Sequence, residues 1–320
     1  MLTGRLPYGL GLCITLVYCV AFAQQSAFRS TTQLVIVPVT VKDGAGNFVS
    51  GLAAADFELL DDGVARPIQP DDPYVPISLV VAVQTNANAA AALAKIRKIG
   101  PAFEPLVVGD HGEAAVVTYD DDVKVALPFT KDAKALKPAF LGLPVGGGNA
   151  RMVDAVERAL QLLEERGSVG RRVLIVIGEP RDRGSKAKLE DMVTLAQHDN
   201  VAIYPVVVSE HSAPRPEELP IVGNLNLFAV FAEIGRLGKT NAALALARYT
   251  GGRELSFAKQ RGLEQVVSEI GEELHNQYLL GFTPTGAVKD EFHRIAASVK
   301  GRDDLKITTR PGYWISERQR

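Results

Sequence analysis

Two patterns of hydrophobic spacing follow one another along the chain. Residues 33–41 alternate partly, with Leu34, Ile36 and Thr40 against Val35, Val37, Val39 and Val41, and run into Lys42-Asp43-Gly44. That predicts a strand ending in a turn. Residues 56–64 predict a second strand with its own Asp62-Gly63 turn. From Pro76 the pattern changes. Ile77-Ser78-Leu79-Val80-Val81-Ala82-Val83 is a continuous apolar run, as in strands buried on both faces of a parallel sheet, and residues 87–103 then read as a helix. Residues 114–118 and 123–127 flank Asp120-Asp121-Asp122 and predict a hairpin with an acidic turn. Residues 150–165 form an amphipathic helix with Met152, Val153, Val156, Ala159, Leu160 and Leu163 on one side. Strands at 172–177, 201–208 and 253–256 alternate with helices at 185–197, 241–249 and 262–273. The tail returns to strands at 277–282, 294–300 and 305–310.

This order predicts an α/β fold: a Rossmann-like open sheet with helices on both faces over residues 76–275. The β-rich segments that bracket it, 24–75 and 276–320, are expected to meet in space as one small β-rich subdomain, since neighbouring termini make such an insertion easy. Residues 209–223 form a long Pro-rich loop inside the α/β part.

Composition removes whole classes. With 47% apolar and 22% charged residues, disordered and collagen-like chains are excluded. The net charge of -2, without a block of like charges, leaves no electrostatic footprint for nucleic acid. Both cysteines, Cys13 and Cys19, fall within a leader that reads as a signal peptide over residues 1–23. Arg5 precedes its apolar run, and Ala21-Phe22-Ala23 offers small residues for a cut before Gln24. A retained anchor is the alternative, but the run is shorter than the ~20 residues a spanning helix needs. Leu12 and Tyr18 stand where lipidation of Cys13 or Cys19 would want a small residue. The mature chain is thus expected to be exported, periplasmic or extracellular, and free of a transmembrane segment and of cysteine. Disulfide frameworks, zinc-thiolate sites and cysteine nucleophiles then drop out together.

Catalytic motifs fail in turn. His-Glu-x-x-His and Gly-x-Ser-x-Gly are absent, and His111, His198, His211, His275 and His293 are scattered without ligand spacing. Gly235-Arg236-Leu237-Gly238-Lys239-Thr240 ends like a phosphate-binding loop, but Glu233 stands where its first glycine belongs, and the preceding segment reads as helix. Gly146-Gly147-Gly148 is open to two readings: an anion cradle before a helix, or, preferred, a tight turn with Asn149 as N-cap. Asp120 to Asp122 could attract a cation, with simple solvation the preferred reading. In open α/β sheets ligands sit at the carboxyl edge of the strands. Here that edge gathers the loops at 85–89, 147–151, 178–184 and 209–223.

Taken in order, these elements resemble a von Willebrand factor type A domain, and more narrowly the von Willebrand A-related proteins of acidobacteria. The residues that carry the resemblance are Lys42-Asp43-Gly44, Asp56-Phe57-Glu58 and Asp62-Gly63 in the first segment. In the α/β part they are Pro76 to Val80, Tyr119 to Val123, Pro128-Phe129-Thr130, Gly147 to Ala150 and Asp154-Ala155-Val156. In the tail they are Thr250-Gly251-Gly252, Gln277 to Phe282 and Pro311-Gly312-Tyr313. The family usually carries a metal-ion-dependent adhesion site, in which an Asp-x-Ser-x-Ser turn, a Thr and a second Asp hold a divalent cation. Those positions fall here on Gln84, Asn86, Asn88, Asn149 and Gly178, so every ligand position departs. Magnesium wants oxygen ligands with at least one carboxylate. Only Glu179 and Asp182 lie near enough to substitute for the lost aspartate.

The resulting expectation is a non-enzymatic protein-interaction or adhesion module with a degenerate, metal-free site and no cofactor. Asn86, Asn88 and Asn149 would hydrogen-bond across the loops in place of the cation. Arg151, Arg181 and Arg183 would make the edge positive and attract an acidic protein partner. The alternatives are a metal-dependent adhesion protein with a cation site rebuilt on Glu179 and Asp182, with Mg2+ or another divalent cation as cofactor, or a structural component of an envelope assembly. A hydrolase with a convergent site is the remaining class.

Overall fold

The structure is a computed structural model and describes residues 34–70, 76–103, 112–166, 170–208, 227–284 and 291–314. The expected signal peptide, both cysteines, His111, His211 and the 209–223 loop lie outside the described residues.

In chain order the first elements are β1 (Val35–Lys42), β2 (Phe57–Asp61), β3 (Val64–Ala65), β4 (Gln69–Pro70), β5 (Ile77–Gln84) and α1 (Ala90–Ile96). Then come β6 (Glu113–Tyr119), β7 (Val123–Thr130), α2 (Leu136–Leu141), α3 (Met152–Glu164), β8 (Arg171–Gly178), α4 (Leu189–His198) and β9 (Val201–Val208). The last are α5 (Leu227–Thr240), α6 (Ala242–Thr250), β10 (Leu255–Phe257), α7 (Gln260–Asn276), β11 (Tyr278–Phe282), β12 (Phe292–Val299), β13 (Lys306–Thr309) and β14 (Gly312–Trp314). No described helix is long and apolar enough to cross a membrane.

β5 to β10 build one six-stranded sheet in the order β10-β9-β8-β5-β6-β7, parallel except for the hairpin strand β7. Because successive side chains of a strand point to opposite faces, the apolar run of β5 serves two cores. Leu79, Val81 and Val83 pack with Leu93 of α1, Phe140 of α2 and Leu263 of α7. Val80 and Ala82 pack with Val156 of α3, Val193 of α4 and Leu246 of α6. This is the expected open α/β sheet with helices on both faces, consistent with a von Willebrand A-like fold.

Two further antiparallel sheets, β13-β1-β11-β4 and β14-β12-β2-β3, draw strands from both ends of the chain. Val35, Val37, Val39 and Val41 of β1 share one apolar cluster with Phe57, Leu59, Phe282, Ile295 and Tyr313. Tyr313 also donates its hydroxyl hydrogen to buried Asp61 at 3.1 Å, and Trp314 stacks on Phe231 of α5 with ring centroids 4.8 Å apart.

Several local expectations are corrected. The helix expected over 87–103 is a short 3-10 turn (Ala87–Ala89), α1, and a second 3-10 turn (Gly100–Ala102). Pro101 lacks the N–H that a continuing helix would need. α4 begins at Leu189 rather than near residue 185, because Ser185, Lys186 and Ala187 are drawn into bonds with Asp182 and Asp154. α3 is capped by Asp182, reaching in from another loop, and not by Asn149: the N-cap position is Arg151, and Val153 N–H donates to Asp182 Oδ1 at 2.9 Å.

Candidate functional site

The register sets the carboxyl edge. Gln84 lies opposite Tyr119, Val83 opposite Ile177, and Gly178 opposite Val207, so four parallel strands end close to one level. The loops leaving them carry the positions singled out in the sequence.

Gln84 is 1% exposed and Asn86 is fully buried. Gln84 Nε2 donates to Asn86 Oδ1 at 2.9 Å, and Gln84 Oε1 accepts from the Glu179 N–H at 2.6 Å. Asn86 Oδ1 also accepts the Ala89 N–H at 3.0 Å, capping the 3-10 turn, while its Nδ2 donates to the Gly148 carbonyl at 3.4 Å. Both amides thus use donor and acceptor ends, as a buried amide must to offset its desolvation. Main-chain bonds reinforce the link: Ala87 N–H to the Gly147 carbonyl at 2.9 Å and Gly146 N–H to that of Thr85 at 2.6 Å.

Asp121 forms the second half of the network. Its carboxylate accepts the Gly148 N–H at 3.2 Å and the Asn149 N–H at 2.9 Å, and Arg151 donates to its carbonyl at 2.9 Å. The Asn149 and Gly148 N–H groups hold this carboxyl below the ordinary aspartate value, outweighing a small opposing effect of burial. A Cβ on Gly146 or Gly147 would overlap the carboxylates of Asp120 and Asp121 respectively. Both sequence readings of this region are thereby revised. The glycine turn does cradle an anion, and that anion is the chain's own Asp121. The acidic turn is only partly solvated, since Asp120 also accepts the Thr85 hydroxyl at 3.1 Å.

The remaining positions divide. Arg183 and Ala150 exchange backbone hydrogen bonds of 2.9 and 3.1 Å, zipping the 178–184 loop to the one before α3. Glu179 pairs with Arg183 across the exposed rim. Asp182 accepts from Val153 N–H and, at 2.6 Å, from the Ser185 hydroxyl. Arg151 is bound to buried Asp154 at 2.5 Å. Arg181 is exposed, donates to the Thr240 carbonyl at 3.3 Å and meets no carboxylate among the described residues. The expected positive edge is therefore corrected: two of its three arginines are neutralised inside the protein. Asn88 is also exposed, with no side-chain hydrogen bond to another described residue, so of the three expected asparagines Asn86 and Asn149 take part in the bridge, together with Gln84 and Asp121, and Asn88 does not.

These residues do not fit a hard divalent cation. The donor set is amides and a glycine, and the space at Gly178 is filled: a Cβ there would lie 2.5 Å from Gln84 Oε1 and overlap the Tyr119 hydroxyl. Glu179 and Asp182 are each directed to another partner. Tyr119 is fully buried, and burial pushes its hydroxyl pKa far up, so it stays neutral and donates to the Ile177 carbonyl at 3.4 Å.

One cluster escaped the sequence reading, which treated the histidines as scattered. Folding brings His293 of β12 beside Asp61 and Asp62, with possible ligand atoms within 4.8 Å of one another. Asp61 is bound by Arg66 at 2.9 Å and by Tyr313, and Asp62 accepts from His293 Nδ1 at 2.7 Å and from Arg294 N–H at 2.8 Å. The cluster ties the end of β2 to β12 through hydrogen bonds.

Solved structures similar to the chain include a conserved hypothetical protein, BatB, from Bacteroides thetaiotaomicron, at 12% identity and a TM-score of 0.43 over 62% of this chain and 98% of that one. An aerotolerance-related membrane protein from Bacteroides fragilis is similar at 13% identity and a TM-score of 0.45, over 62% of this chain and 99% of that one. The PilB minor pilin of Streptococcus sanguinis is similar at 9% identity and a TM-score of 0.44, over 65% of this chain and 63% of that one. No family model matches the sequence, and no curated protein does.

Proposed function

We propose that the chain is an exported, non-enzymatic protein-interaction module whose binding edge is held in shape without a metal ion. The observation that carries this reading is Gln84, which bridges Asn86 and Glu179 where a carboxylate-ligated cation would otherwise join the same loops. Its amide meets the need for both a donor and an acceptor at one buried point, so the loops require no charge at their centre. The carboxylates of the edge are engaged as well: Asp121, Asp154 and Asp182 accept fixed backbone hydrogen bonds, and Glu179 is ion-paired. Groups held in this way are poorly placed to act as general bases or metal ligands.

Asn88, Asn149 and Arg181 are left exposed on the rim for a protein partner, with Arg181 the contact for an acidic group. The test is a thermal melt of residues 24–320 in chelator and then in millimolar Mg2+, Mn2+ or Ca2+. A cation that binds only the folded state must raise its stability by mass action. An unchanged midpoint, beside a metal-binding control that shifts, supports the proposal. A saturable rise that disappears in Asp182→Asn overturns it in favour of a rebuilt cation site.

A further inference from the structure

At the opposite, amino edge of the central sheet, where β1 and β11 approach β8 and β9, lies a cavity of about 380 Å³, within the size range of small-molecule sites. Leu34, Ile36, Pro38 and Leu279 make its apolar side, and Arg310, Arg171, Arg172 and Asp199 contribute to its polar side. Arg310 is the unusual member. It follows β13, is 1% exposed, and finds only neutral acceptors at long range: the Gln197 carbonyl at 3.4 Å and Asn200 Oδ1 at 3.5 Å. Its Nε has no hydrogen-bond partner. Burial lowers its pKa to about 10, so it remains a cation at neutral pH. A buried guanidinium normally meets a carboxylate in a two-pronged pair. Nothing of that kind accompanies this one among the described residues.

We propose that this cavity binds a small organic monocarboxylate, its head on Arg310 and its apolar body against Leu34, Ile36, Pro38 and Leu279. The donors select a single carboxylate. Arg171 and Arg172 donate to the carbonyls of Leu274 and Asp199, at 2.5 and 3.0 Å, and the Asp199 carboxylate in the same wall opposes a second negative charge. The four apolar side chains call for a hydrocarbon body, which inorganic phosphate lacks. Capping of α4 accounts for only one of the guanidinium's contacts, the long bond to Gln197, and does not call for a cavity.

The site lies away from the interaction edge, so its test is independent of that reading. The probe is sodium hexanoate, with hexanol lacking the charge and sodium acetate lacking the body, read by thermal melting and by calorimetric titration. Hexanoate well above its dissociation constant should raise the midpoint by about 2–4 °C, with hexanol and acetate giving less than a quarter of that. Arg310→Met should abolish the shift. Leu279→Trp, which fills the apolar side and leaves Arg310 in place, should abolish it too and decides the matter if Arg310→Met fails to fold. Absence of a shift in the unmodified protein overturns the proposal and leaves the cavity to water. So does a shift that survives either folded variant, or one matched by hexanol.

Discussion

Gln84 Oε1 lies 2.5 Å from the point that a Cβ on residue 178 would occupy, so the glycine at 178 and the glutamine at 84 are a matched pair. Gly178→Ala should destabilise the protein by about 1–3 kcal/mol, the usual cost of overpacking a filled interior. Gln84→Ala removes the Oε1 contact but leaves the Tyr119 hydroxyl in place, so it relieves only part of the clash, and the double variant should be less destabilised than the sum of the singles by about 0.5–1 kcal/mol. Urea denaturation of the four proteins measures the coupling, and strict additivity would show that the two side chains do not compete. Gly178→Asp meets the same obstruction and should fail to confer a Mg2+-dependent melting shift.

Asn86 and Asn88 are two residues apart and should behave oppositely. Asn86→Ala removes a cap and leaves Gln84 Nε2 without its acceptor in the interior, at a cost of about 1–3 kcal/mol. Asn88→Ala, on the exposed rim, should change stability by no more than about 0.5 kcal/mol. Equal costs in denaturant titrations would mean that Asn88 shares the bridging after all.

Asp182 should be a helix cap. Asp182→Ala and Ser185→Ala should each cost about 0.5–2 kcal/mol, since the Val153 N–H loses its acceptor in the first and the Asp154 N–H in the second. Hydrogen exchange at Val153 provides the check. Protection unchanged in Asp182→Ala would locate the cap elsewhere.

The pH response of the acidic turn has a definite sign. The Asp121 carboxyl is held below its ordinary value of 3.8 in the folded protein. Its contribution is therefore complete above the unfolded value and is lost as pH falls through the lower folded one. In an NMR titration the Asn149 and Gly148 amide resonances should move together with a midpoint below 3.8. Asp121→Asn should remove that transition, and a midpoint at or above the ordinary value would contradict the hydrogen-bonded turn.

Local chemistry made much of the architecture legible. The apolar run of residues 77–83, the alternation before Lys42 and the Asp-Gly turns each depend on neighbours a few positions away, so strands, helices and the open sheet can be read from spacing. The lack of a carboxylate among Gln84, Asn86, Asn88, Asn149 and Gly178 was legible too, because it is a matter of residue identity. Helix starts were less so. α3 depends on Asp182, a cap supplied from another loop, and no window around Asn149 contains it.

The sequence by itself determined which side chains are available at the sheet's edge and that Gln84, Asn86, Asn88, Asn149 and Gly178 supply no carboxylate there. Only the tertiary structure decided their pairing. Glu179 is 95 positions from Gln84, and Asn149 is 28 from Asp121. Arg151 and Arg183 are cations in the sequence and ion-paired groups in the fold. Arg310 is one more arginine of the tail until β13 carries it into the interior. The reason is physical: spacing records which face of an element a residue occupies. Which distant donor meets which acceptor, and which charge is left without a partner, depends on how whole elements dock.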